Sequence, residues 1–92
     1  MSDDLPGHDL IAEGLVDLAA GRESIAGLLV SIGAPRLRQV GVEVPETGID
    51  DPEHRLYDLL TESDSHSAHS RYNALIRTLV SFERAACVRQ SR

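Results

Sequence analysis

The densest group of residues capable of chemistry is the polar run from Asp64 to His69. If a helix starts at Asp64, His66 and His69 lie three positions apart and project from one side of it. Imidazole nitrogens and carboxylate oxygens bind divalent metals, so Asp64, His66 and His69 are candidate metal ligands. A closed site would need another ligand, such as His54, Glu62 or a histidine of a second subunit. The alternative is structural: these residues form a helix start in which Asp64 caps backbone amides.

A second group of hydrogen-bonding side chains follows within one turn. Arg71 and Asn73 flank Tyr72, and an arginine fork can bind a carboxylate or a phosphate. Arg71 and Asn73 are therefore candidate anion-binding residues. The same fork suits ordinary ion pairs with acidic residues of this chain, among them Asp58 and Glu62.

Other catalytic motifs are missing from the sequence. There is no lysine and no glycine-rich phosphate loop. The single cysteine, Cys87, has no neighbouring general base indicated by spacing, so a buried, inert thiol is the better interpretation. We assign no catalytic residue and predict no cofactor beyond the metal alternative.

The element that must position these groups is a predicted long helix over about residues 66–90. Its apolar residues recur at alternating spacings of four and three, which predicts an amphipathic helix. The residues of this apolar seam are Ala68, Tyr72, Leu75, Leu79, Phe82 and Ala86. Ile76, Val80 and Cys87 lie beside the seam and widen it. The opposite face carries Arg77, Ser81 and Arg84.

Three shorter helices are predicted before it. Asp9 caps the first and Gly21 stops it; Glu23 or Ser24 starts the second, which ends at Gly33. Pro35 then opens a separate turn.

Glycine, proline and acidic residues give two further predictions, a close contact between helices and the start of a helix. Gly14 and Gly27 are proposed to mark a close crossing of the first two helices, the alternative being glycines tolerated in marginal helices. Asp51, Pro52 and Glu53 form a cap, a proline at the first helical position and an acidic first turn, which predicts a helix from Pro52.

Charge is divided unevenly along the 92 residues. Residues 1–65 contain four arginines and fourteen acidic residues, a net charge of −10, whereas residues 66–92 contain five arginines and one glutamate, a net of +4. The total of −6 argues against a general nucleic-acid binder. The simplest interpretation is that the basic residues 66–92 complement the charge of the acidic residues 1–65 of the same chain.

Together these features predict an all-α fold, a small bundle of three to four helices with the long last helix as its axis. Residues 1–8 would be a flexible acidic leader, and residues 9–90 a single helical domain containing a linker at 41–50. The early acidic residues, the short apolar runs and the single cysteine favour a bacterial-type cytoplasmic protein.

The leading functional hypothesis is a non-enzymatic protein-interaction module that homodimerises or binds a partner protein, which it could neutralise. Its predicted contact residues lie on the seam of the last helix: Tyr72, Leu75, Leu79, Phe82 and Ala86. The alternative is a metal- or anion-binding sensor or enzyme that uses the cluster of Asp64, His66, His69 and Arg71. A weaker alternative is a regulator that binds nucleic acid through Arg77, Arg84, Arg89 and Arg92.

Overall fold

The computed structural model describes residues 7–46 and 48–90, and it is all-helical apart from connecting turns and loops. The helices are α1 (His8–Ala19), α2 (Ile25–Gln39), α3 (Pro52–Ser63) and α4 (Ala68–Gln90). The predicted all-α bundle with a long C-terminal helix is confirmed. Most of the predicted leader, residues 1–6, lies outside the described residues, as does Arg92. No helix in the described ranges is long and apolar enough to cross a membrane.

Several predicted helix ends are confirmed. The Ser24 hydroxyl accepts a hydrogen bond from the Gly27 amide at 3.0 Å and caps α2. Asp51 caps α3, with Pro52 at the first helical position. Gly21 follows the end of α1 with a φ of 78°, a left-handed conformation that glycine adopts at low cost.

Two predicted ends are wrong. The N-cap of α1 is Gly7, without a side-chain cap, and Asp9 lies in the first turn. α2 does not end at Gly33 but continues through Pro35 to Gln39. Proline has no amide hydrogen to donate, yet the continuation keeps Leu37 wholly buried. Burial of that side chain outweighs one missing hydrogen bond.

α2 is the central helix of the bundle, because it contacts α1, α3 and α4. The longest helix, α4, packs against α2 and α3. α2 also supplies most of the side chains that are completely hidden from solvent: Leu28, Leu29, Val30 and Leu37. The sequence predicts α4 as the axis, whereas the bundle is organised around α2.

The predicted linker at 41–50 contains no strand in its described residues, which omit Thr47. It folds back over the bundle, since the Arg38 guanidinium donates to the Val44 carbonyl at 3.0 Å. Val44 is buried in the same core as Leu37. The linker therefore covers part of the core.

A glycine lets α1 and α2 approach closely, as the sequence predicts for Gly14. A Cβ at Gly14 would lie 2.3 Å from the Ala26 carbonyl oxygen and 2.4 Å from Val30 Cγ2. Gly27 instead faces its own capping turn and Asp17. A Cβ placed on Gly27 would lie 3.1 Å from its nearest atom, the Arg22 carbonyl oxygen. The tight crossing thus depends on Gly14.

The turn between α1 and α2 is fixed by Asp17. Its carboxylate accepts hydrogen bonds from the Ser24 hydroxyl and from two nitrogens of Arg22, at 3.2 and 3.1 Å. The hydrogen bond from Ser24 lowers the pKa of Asp17 and outweighs the burial that would raise it, and Arg22 lowers it further. The ionised carboxylate therefore stabilises the folded state.

Replacing Gly14 by alanine is expected to lower the free energy of unfolding by about 2 kcal/mol, because the new methyl group would clash with the backbone of α2. Urea denaturation followed by circular dichroism measures the change. Gly27→Ala is the matched control and should cost less, because its nearest contact is longer. Equal losses in the two variants would show that the crossing does not depend on Gly14.

Asp17→Asn is expected to destabilise the chain at neutral pH and to have less effect in acid. The pKa of Asp17 is lower in the folded than in the unfolded state, so its contribution is present above about pH 4 and is lost as the pH falls through the folded-state pKa. Urea midpoints at pH 7 and pH 3 measure this, with Asp9→Asn as an exposed control on the same helix. A difference from wild type that stays constant with pH would contradict the role of the charge.

Candidate docking groove

The apolar face of α4 comprises the seam and the residues that widen it. Part of this face packs in the core and part lines a groove. On the core side, Leu79, Phe82 and Ala86 are 3%, 5% and 8% exposed. Leu75 is half-buried, and the half-buried Tyr72 ring packs edge-to-face on Tyr57 of α3 at 5.8 Å. The predicted contact residues therefore pack mainly inside this chain. Their role in binding a partner stays a prediction.

The residues that widen the seam lie on the less covered side of α4. Val80 is 36% exposed, Ile76 is half-buried and Cys87 is exposed, so the prediction of a buried Cys87 thiol is wrong. At about 100° per residue, Ile76 and Cys87 lie within about 40° of Val80 around the helix. They form one stripe that α2 borders but does not cover.

This stripe and the C-terminal half of α2 enclose two adjoining hollows of about 500 and 370 Å³. We call them together the α2–α4 groove. Its α2 side is formed by Ile32, Gly33, Pro35, Arg36, Gln39 and Val40. Its α4 side is formed by Ile76, Leu79, Val80, Glu83, Arg84 and Cys87.

Glu83 lies at the base of the groove and lines both hollows. The residue is only 7% exposed, and no described residue donates a hydrogen bond to its carboxylate or forms an ion pair with it. A Cβ on Gly33 would lie 2.8 Å from Glu83 Oε2, so the carboxylate is pressed against the backbone of α2. Burial raises the pKa of Glu83, and the charge of Arg36 partly offsets that rise.

The Glu83 carboxylate still opens to the groove. Every side-chain oxygen or nitrogen that is sealed from solvent within the described ranges has a hydrogen-bond partner. Since Glu83 has no such partner there, its oxygens keep a narrow contact with the space inside the groove. A group that enters the groove can therefore reach them.

The rim of the groove is basic. Arg36 on α2 and Arg84 on α4 are both exposed and line it on opposite sides. The groove thus combines apolar walls, a mostly buried carboxylate at the base and guanidinium groups at the edges.

No protein-family model matches this chain, and neither the curated proteins nor the solved structures contain a significant match.

The predicted metal ligands are not gathered into a site. Asp64 forms the turn before α4: its carboxylate accepts a hydrogen bond from the His66 amide at 3.1 Å. A hydrogen bond from the Ser67 hydroxyl and the one from His66 lower the pKa of Asp64. Within the described ranges, no three His, Cys, Asp or Glu side chains are grouped so that they could hold a metal ion. The geometry favours the structural alternative for this cluster.

The predicted anion-binding residues point to different neighbours. The Arg71 guanidinium approaches the Ser63 hydroxyl at the end of α3, at 3.5 Å, whereas the Asn73 amide pairs with the His69 ring at 3.2 Å. Residues two apart on a helix do not share a face. Arg71 and Asn73 are not brought together, and the anion hypothesis gains no support.

Sequence reasoning misses Glu83 and Arg36 as site residues. One signal is present: Glu83 is the only acidic residue after Asp64, on an otherwise basic helix, one position from Phe82 of the seam. Arg36 carries no comparable signal, because its position depends on α2 continuing beyond Gly33.

Glu83→Gln is expected to stabilise the folded chain at pH 7. Because burial raises the pKa of Glu83, the folded state loses stability as the pH rises from about 4.3 through the folded-state pKa, and an uncharged side chain removes that loss. Urea midpoints at pH 4 and pH 7 should show an advantage of the variant at pH 7 that shrinks at pH 4. Glu62→Gln, at an exposed position of α3, is the control and should change neither midpoint. A variant less stable than wild type at pH 7 would contradict the prediction.

Proposed function

We propose that this chain is a non-enzymatic protein-interaction module that holds an apolar segment of a partner protein in the α2–α4 groove. One observation supports the proposal. The part of the apolar face of α4 that is centred on Val80 lines an open groove, and a mostly buried carboxylate lies at the base of this groove. Exposed apolar surface next to polar rims is typical of protein-binding surfaces.

The size and shape of the groove suit a helix or an extended segment. The two hollows adjoin along the groove and share Pro35, Arg36, Val80 and Glu83. A shallow, elongated surface of this kind accepts alternate side chains of an amphipathic segment, as in helix-in-groove recognition. We therefore favour a peptide-like segment of the partner as the occupant.

A different protein suits the groove better than a second copy of this chain. In an antiparallel two-fold pair of α4 helices centred on Val80, Arg84 of one copy would lie beside Arg77 of the other. The reason is that the two residues lie on the same side of the helix, four residues after and three residues before Val80. This antiparallel arrangement brings like charges together, which disfavours association.

We also propose that the protein acts in the cytoplasm, since a chain with a single cysteine suits a reducing compartment. The metal-dependent alternative gains no support, because the described ranges contain no group of three His, Cys, Asp or Glu side chains that could hold a metal ion.

Val80→Asp is expected to weaken partner binding strongly, because it places a charge in the centre of the groove. A photo-reactive phenylalanine analogue at Val80 should crosslink a discrete partner in cells of the source organism, whereas the analogue at Ser81 should not. Ser81 is exposed on the same helix but does not line the groove. The captured protein is then purified and titrated against the wild-type chain, Val80→Asp and Ser81→Asp by calorimetry.

The expected result is a loss of affinity of about tenfold or more for Val80→Asp and less than about twofold for Ser81→Asp. Unchanged affinity in Val80→Asp, or equal crosslinking from the two positions, would contradict the proposal. Light scattering of the wild-type chain completes the test. A stable dimer that Val80→Asp breaks would identify a second copy as the occupant and overturn the choice of a different protein.

A further inference from the structure

We propose that the partner segment presents one arginine or lysine side chain whose cationic group binds the Glu83 carboxylate at the base of the α2–α4 groove. This inference rests on the function proposed above and specifies the chemistry of the occupant.

The first argument is that the Glu83 carboxylate has no hydrogen-bond or ion-pair partner among the described residues. A buried carboxylate costs free energy unless hydrogen bonds or an opposite charge compensate it. The Glu83 carboxylate accepts no hydrogen bond from a described residue and forms no ion pair with one, although Glu83 is more than nine-tenths buried. Arg36 is near enough to affect the carboxylate electrostatically, but it is exposed at the rim and makes no ion pair with it. A cation from the occupant would supply the missing compensation.

The second argument is the path to Glu83. The walls above the carboxylate are apolar, with Ile32 on α2 and with Ile76 and Val80 on α4. Arginine and lysine have aliphatic stems that pack on such surfaces and place the charge at their far end. A charge-assisted hydrogen bond formed away from water is about twice as strong as a neutral one.

The third argument is the charge of the rim. Arg36 and Arg84 would repel additional cations near the edges of the groove and attract carboxylates there. The matching segment therefore has a single central cation, apolar residues on either side of it at helical spacing, and acidic residues on its outer edges. This pattern distinguishes the occupant from a generally basic peptide.

The test is a double-mutant cycle between Glu83 and a helical peptide of about 15 residues. The host peptide has leucines four residues before and after a central position, with glutamate and alanine elsewhere. The central residue is arginine in one peptide and citrulline, its uncharged isostere, in the other. Each peptide is titrated into the full chain, into Glu83→Gln and into the control Glu62→Gln. Methyl chemical shifts of Ile76 and Val80 locate the binding, and the titrations give the dissociation constants.

The arginine peptide should bind the wild-type chain about tenfold or more tightly than the citrulline peptide. That preference should vanish in Glu83→Gln and persist in Glu62→Gln. If both peptides shift Ile76 and Val80 with equal affinity, the groove binds helices and only the cation inference is overturned. If neither peptide shifts these methyl groups at millimolar concentration, the proposed docking function is contradicted as well. A preference for arginine that survives in Glu83→Gln would assign the cation to another group and overturn the inference.

Discussion

The close approach of α2 to its neighbours is the constraint on which this bundle depends. Only three aromatic residues are available to fill a core, so stability must come from aliphatic side chains packed at short helix separations. Gly14 allows α1 to touch the backbone of α2, and Gly33 allows side chains of α4 to reach it. Each glycine costs about 1 kcal/mol of helix propensity relative to alanine, and the contacts made possible by its missing Cβ offset that cost.

The contact at Gly33 also creates the groove. Leu79 and Glu83 lie one turn apart on α4, and both occupy the space that a side chain at position 33 would fill. Leu79 gains a place in the core there. Glu83 lies in the same apolar environment, and no described residue donates a hydrogen bond to its carboxylate. One packing contact therefore both stabilises the bundle and buries a charge. Residues that are poorly satisfied in a native structure are commonly kept for function at the expense of stability.

Much of the fold can be predicted from the sequence, because it depends on local signals. The spacing of apolar residues in α4, the cap at Asp51 and the stop at Gly21 each act over a few residues. The end of α2 cannot be predicted in this way, because Gly33 and Pro35 are helix-breaking signals that the burial of Leu37 overrides.

The candidate site is harder to predict from the sequence than the fold. Periodicity shows which face of α4 is apolar, but it does not show how much of that face the other helices cover. From the sequence, Leu79 and Phe82 are therefore predicted to be open to a partner, whereas the folded chain buries both side chains in its own core. The burial of Glu83 depends on the path of α2, and no local sequence pattern predicts that path.

The structure changes the interpretation of the uneven charge along the chain. A basic last helix could simply complement the acidic first part of the chain. Between described residues, however, the arginine–carboxylate ion pairs join Arg22 to Asp17 and Arg55 to Glu23, and the His54 ring contacts the Asp58 carboxylate at 3.3 Å. None of them involves α4. Arg77 and Arg84 therefore keep their charges exposed on the side of α4 next to the groove. Such charges, partly screened by salt, contribute little to the stability of the isolated chain but orient an approaching partner. In the proposed complex the exposed arginines would select acidic edges of a segment and Glu83 would select its central cation. The two requirements together would be far more restrictive than either charge alone.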